Sequence, residues 1–161
     1  MSELKIIVCG SREFHDYEYL ENKLLEIIPK VQYYREVNSR DIEIVSGHAL
    51  GADQLGEKFS VQYLKRFAKL FALTEKDWLD MTPPVWPKFR KDGTQYNARA
   101  GQNRNIKMIQ YAGNSGIVIG FVKGESKGTK HTIREAKYEK MWTFKVDVDR
   151  DKVYEYNTPE N

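Results

Sequence analysis

The chain holds one cysteine, Cys9, in 161 residues, so no disulfide can close within it. It has three histidines, and no Cys, His or Asp cluster shows metal-ligand spacing, so neither a metal nor a resident cofactor is expected. No apolar run approaches the roughly 20 residues that cross a bilayer. No signal-peptide layout stands before the first strand-like run at Leu4. These absences predict a cytoplasmic protein with no membrane partner, in which Cys9 is a buried filler rather than a reactive thiol. Charge of one sign is also scarce: the net charge of +3 is too small to argue for nucleic acid. Three chemical signatures are missing as well. Gly10-Ser11-Arg12 is not a G-x-S-x-G nucleophile elbow. Residues 124–129 lack the Gly-Lys-Ser/Thr ending of a P-loop, and no turn carries G-x-G-x-x-G, which excludes a standard NAD enzyme.

What is present is an ordinary globular composition, 40% apolar and 30% charged, in a length that fits one domain with a sizeable core. The charge is unevenly placed. Residues 88–140 hold 12 Lys+Arg against 4 Asp+Glu, a net +8, and the remainder 14 against 19, a net −5. A basic segment that also carries glycine turns suits an anionic ligand; the plainer alternative is a solvated face balanced by the acidic remainder.

The central stretch is Ile42-Glu43-Ile44-Val45-Ser46-Gly47-His48-Ala49-Leu50-Gly51-Ala52-Asp53. It reads as a strand, a glycine loop and the start of a helix that places Leu55, Phe59, Tyr63 and Phe67 on one face. The same grammar recurs around it. Residues 4–9 form a buried strand ended by Gly10, then a helix that Asp16 caps and that has Pro29 near its end, followed by a loop or fraying end over 30–40. After the helix of residues 53–66 come a third strand at 69–73, a helix at 99–112, and a central strand at 115–121. A helix at 129–140 and a strand at 143–148 follow, with a possible edge strand at 152–156. The spacing predicts an α/β fold: a Rossmann-like α/β/α sandwich on a mostly parallel sheet of five strands in the order 3-2-1-4-5. One domain over 1–157 is expected, with a loose tail at 158–161. The pattern lapses at 74–98, which reads as an irregular aromatic and basic insertion, fit for a lid or a contact between copies.

In such sheets ligands bind beyond the carboxyl ends of the strands, where the strand order reverses. Gly10, Ser11 and Arg12, then Ser46, Gly47, Gly51 and Asp53, and finally Gly128 and Thr129 lie in turns predicted at that edge. Glycines admit a ligand close to the backbone, helix starts favour phosphate, and the Arg12 guanidinium can grip two oxygens. Arg104 and Asn105 follow the start of a helix and can reach the same crevice. Each has a plainer reading. Thr129 suits an N-cap, Thr132-Ile133-Arg134-Glu135 spells a capping box, Asp53 can cap its helix, and Arg12 can pair with Glu13 or Asp16.

Taken in order, Gly10-Ser11-Arg12, Ser46-Gly47 to Gly51-Ala52-Asp53, Trp78, Ala100-Gly101, Arg104-Asn105, Met108 and Ser126-Lys127-Gly128-Thr129 resemble the SLOG superfamily. Within it they are most like the small phage and bacterial proteins related to YspA. The resemblance covers nearly the whole chain. It implies a Rossmann-like fold, a site for nucleotides, nucleotide sugars or ADP-ribose-like signals, and a homo-oligomer. Relatives differ in activity. The LOG phosphoribohydrolases carry Pro-Gly-Gly-x-Gly-Thr-x-x-Glu with a catalytic glutamate. Here Thr132 stands at that position, and Glu135, one turn on, points elsewhere. DprA, another relative, binds single-stranded DNA. The leading expectation is a nucleotide-signal binding protein, a sensor or sponge. Ser11, Arg12, Ser46, Gly47, Gly128 and Thr129 would hold phosphate, Asp53 a ribose, and Trp78 or Trp86 a base. The alternatives are an N-glycosidic hydrolase or transferase using Glu135, Asp53 or Glu125, and a single-stranded nucleic-acid binder using the 88–140 segment.

Overall fold

The computed structural model describes residues 3–160. β1 (Leu4–Gly10) leads into α1 (Tyr17–Arg35), β2 (Ile42–Ser46), α2 (Ala52–Phe59), β3 (Lys69–Leu70) and α3 (Glu75–Leu79). A hairpin of β4 (Pro87–Phe89) and β5 (Gln95–Asn97) follows, then α4 (Ala100–Ala112), β6 (Ile117–Val122), α5 (Lys127–Tyr138), β7 (Trp142–Asp147) and β8 (Lys152–Tyr156). The main sheet has six strands in the order β3-β2-β1-β6-β7-β8, all parallel except β8, which runs antiparallel to β7. This is the doubly wound, Rossmann-like order expected, with β6 and β7 in the fourth and fifth places. The order reverses between β1 and β6.

Alternation along the strands builds two cores. Ile6, Val8, Ile44, Ile119 and Phe144 face α1 and α2, while Ile7, Cys9, Val45 and Val118 face α4 and α5. Cys9 is buried, and burial raises its thiol pKa, so it stays protonated. No helix of the described residues is long and apolar enough to cross a membrane.

Several boundaries differ from the sequence reading, each for a local reason. α1 is capped by Asp16, which accepts from the Tyr19 N–H at 3.1 Å, but it runs past Pro29 to Arg35. Burial of Ile28 and Val31, with Tyr34 edge-on to Trp142, outweighs the hydrogen bond that the proline removes. The second helix widens into a π turn, Ser60–Leu64, and stops before Arg66 because Ser60 Oγ donates to Arg66 O at 2.7 Å. Phe67 falls outside it, 86% exposed. β3 ends at Leu70, since Phe71 N–H takes the carbonyl of Ser46 at 2.7 Å and β2 offers no further partner.

Asp53 does not cap α2. Gly51 occupies that position, and Asp53 sits in the first turn. Nor does Thr129 cap α5, which starts at Lys127 with Ser126 as its cap residue. Thr132 lies inside α5, where its hydroxyl donates back to Gly128 O at 3.2 Å rather than closing a capping box.

Residues 74–98 are not irregular throughout. Thr74 and Asp77 form a capping box that starts α3. The Asp92-Gly93 turn, with Gly93 at φ 88°, closes the hairpin. At the chain end, Thr158 Oγ1 donates to Glu155 Oε2 at 2.6 Å and Tyr34 OH donates to Glu160 O, while residue 161 lies outside the described part.

Candidate anion-binding cavity

The loop after β1 is anchored before it presents anything. Ser11 N–H continues the ladder to Phe121 O at 3.0 Å, and Phe14 stacks on Phe121 with ring centres 5.6 Å apart. The Ser11 hydroxyl donates to Lys123 O at 2.9 Å and accepts from Lys123 N–H at 2.8 Å, which ties the β1 loop to the β6 loop. Ser11 therefore positions, and Arg12 is left exposed beside it. Among the described residues Arg12 makes no ion pair, with Glu13, Asp16 or any other carboxylate.

The β2 loop is a seat for arginine. Gly51 has φ 86°, and an added Cβ would stand 2.3 Å from Ser11 O, so this turn packs directly on the β1 loop. Asp53 is 5% exposed, and its carboxylate accepts from Ala49 N–H at 3.2 Å. Burial raises its pKa to about 6, against the pull of that hydrogen bond and of Arg104. Arg104 reaches in from α4. Its Nη1 donates to Gly47 O at 2.6 Å and to Phe71 O at 3.3 Å, and its Nε donates to Asn105 Oδ1 at 2.9 Å. Burial lowers the Arg104 pKa, which the Asp53 charge opposes. Ser46 is wholly buried and spends its hydroxyl on Glu57 Oε2 at 2.7 Å.

On the far side, Asn105 Nδ2 approaches Gly128 O at 3.5 Å and His131 Nδ1 at 3.4 Å, linking α4 to α5. His131 is buried, which lowers its pKa and keeps it neutral. Ser126 Oγ donates to Thr129 Oγ1 at 2.7 Å and accepts from no N–H at the start of α5. The first N–H groups of α5 thus have no side-chain cap, and neither do those of α4.

Both helix starts open on one cavity of about 460 Å³ at the carboxyl ends of β1 and β6. Gly10, Ser11, Arg12, Asp53, Trp78, Arg104, Asn105, Gly128, Thr129 and Glu125 line it. Ser46, Gly47 and Gly51 do not; they lie behind it as support for Asp53 and Arg104. Glu135 is also outside, 3.6 Å from His131 Nε2. Trp78 meets Tyr96 edge-on at 6.2 Å, while Trp86 stands away from the cavity, 57% exposed. Lys123, Lys127, Gln102 and Ala49 line the cavity although none was named as a ligand-binding residue from the sequence. Lys127, as first residue of a helix that follows a glycine turn, was the signal available. The cationic groups Arg12, Arg104, Lys123 and Lys127 outnumber Glu13, Asp53 and Glu125 there. Such a cavity, two uncapped helix starts with guanidinium groups between them, is suited to an anion of phosphate type.

The fold and this crevice at the strand-order switch define a Rossmann-like α/β protein. No family model matches the chain. It is similar to the Gene 61 protein of Mycobacterium phage D29, 24% identical over 132 residues that make up 82% of this chain and 87% of that protein. Its fold is similar to that of DNA processing protein A from Helicobacter pylori, a structure described for its single-stranded DNA binding mode. The TM-score is 0.52 and the identity 19%, over 91% of this chain and 66% of that one.

Proposed function

We propose that the cavity binds the phosphate of a nucleotide or nucleotide-derived signal, and that the protein is a SLOG-like binding protein, a sensor or sponge. One observation carries this reading: the starts of α4 and α5, both without side-chain caps, meet Arg12 and Arg104 at the strand-order switch. Trp78 in the wall supplies a flat face for a base. Binding is favoured over N-glycosidic hydrolysis because the position of a catalytic glutamate holds Thr132, whose hydroxyl is spent on Gly128 O. A thermal-shift panel of nucleotides, cyclic nucleotides and ADP-ribose tests the reading. Ligand at 100 times its Kd adds about 2.7 kcal/mol, which raises Tm by several degrees. No shift with any member overturns it.

A second reading, single-stranded nucleic acid, is favoured by the hairpin. Trp86 and Phe89 are 57% and 70% exposed, and Lys88 lies 5.0 Å from the Trp86 ring centre. Stacking aromatics interleaved with cations suit a strand, and the fold's likeness to DNA processing protein A agrees with it. Affinity for an oligonucleotide that does not fall with added salt excludes this reading.

A further inference from the structure

Next to the anion cavity lies a second one of similar size, about 460 Å³, between α4 and the segment from Phe71 to Pro84. Of their lining residues the two cavities share Leu73 and Arg104. Arg104, which lines both, spends Nη1 on Gly47 O and Phe71 O and Nε on Asn105 Oδ1, and its Nη2 has no hydrogen bond to the described residues. The two chambers differ in chemistry. The second has apolar walls from Phe71, Pro83, Pro84 and Ile106, and carboxylates from Asp77 and Asp80. Each carboxylate keeps an acceptor oxygen. Asp77 Oδ2 takes the Thr74 N–H at 2.8 Å and leaves Oδ1, and Asp80 Oδ1 takes the Thr82 N–H at 2.9 Å and leaves Oδ2. Hydrogen bonds from Thr74 and Thr82 lower the two pKa values, so both carboxylates are ionised at neutral pH. Arg104 and Lys107 balance them, so the lining of the chamber carries no net charge.

We propose that the second cavity is a subsite for an uncharged ring bearing hydroxyl or amino donors, joined across Arg104 to the phosphate held in the first cavity. This rests on the phosphate reading above and narrows the ligand to the class of nucleoside diphosphate sugars and related two-part molecules. Apolar walls take the faces of the ring, and the free carboxylate oxygens take its donors. With no excess of cations in its lining, the second cavity offers a further phosphate no net attraction, so a longer polyphosphate gains nothing there.

Calorimetric titration of the full chain with ADP, ADP-ribose, UDP and UDP-glucose tests this. The sugar-bearing member of a pair is expected to bind at least tenfold tighter than its parent diphosphate, since the parent leaves the second cavity empty. Ile106→Trp, which fills that cavity, brings the ratio toward one. Should that variant fail to fold, Asp80→Lys at the exposed rim shifts the ratio toward the parent diphosphate. Equal binding of sugar and parent, or a preference that neither variant moves, overturns the subsite and leaves the phosphate reading standing. Absence of binding by all four overturns the subsite, and together with no shift across the thermal panel it overturns the phosphate reading as well.

Discussion

At Gly47 a methyl group would stand 2.8 Å from Arg104 Nη1 and 2.9 Å from Asp53 Oδ2. The glycine is there for the arginine, not for the ligand. Gly47→Ala is expected to fold, because the far end of a long side chain can yield, at a cost of about 1–2 kcal/mol. It displaces the guanidinium from the cavity junction and weakens phosphate-ligand binding about tenfold, which titration calorimetry reads. Asp53 makes a second prediction. The folded site holds its pKa near 6 against an ordinary 3.8, so between those values the native state binds more protons than the unfolded chain. Its contribution to stability therefore falls as pH rises from about 4 to 6, by an amount on the order of 3 kcal/mol. Asp53→Asn, which still accepts from Ala49, flattens that slope and is more stable than the parent at pH 7. Urea midpoints measured across this range check it, and a parallel slope in both proteins refutes it.

Two helices show how an element can serve the fold and the site in opposite ways. Lys127 is the first residue of α5, where the helix dipole disfavours a cation. Lys127→Glu is expected to stabilise the protein by about 0.3–1 kcal/mol, yet to lower the affinity for a phosphate ligand at least tenfold. Opposite changes in Tm and affinity are the signature; a loss of both points to a structural role. In α1, Pro29 lies within the helix and deprives Leu25 of a hydrogen-bond donor. Pro29→Ala restores that bond. Part of the gain is offset by the freer unfolded chain, for a net increase of about 1–2 kcal/mol in a denaturant melt.

At the scale of the whole molecule, charge is arranged rather than abundant: the +8 of residues 88–140 sits within a chain of net +3. Salt response separates the two functional readings. A nucleotide held by one or two phosphates loses affinity gently with salt, whereas a strand crossing the hairpin loses it steeply. Replacing Trp86 and Phe89 by alanine, measured by fluorescence anisotropy with a labelled oligonucleotide, is expected to weaken strand binding by about 1–3 kcal/mol per stacked base. Nucleotide binding stays as it was, since neither side chain lines the cavity.

Short apolar runs between turns were enough to read the sheet. Residues 4–9, 42–45 and 115–121 are short, largely apolar and bounded by turns, and a parallel doubly wound order follows from alternating elements. The Asp92-Gly93 hairpin and the Thr74–Asp77 box were equally present in the sequence, masked by the prolines and tryptophans around them. Contact between distant residues was not legible there. Ser11 locked to Lys123, Gly47 beneath Arg104, and Thr129 receiving Ser126 are each set by how the turns pack. Period and turn chemistry act over a few neighbouring residues, so the chain by itself determines its elements and their order. Which polar groups are spent inside the protein, and which remain open to a ligand, depends on side chains brought together from far along the chain, and only the tertiary structure decides that.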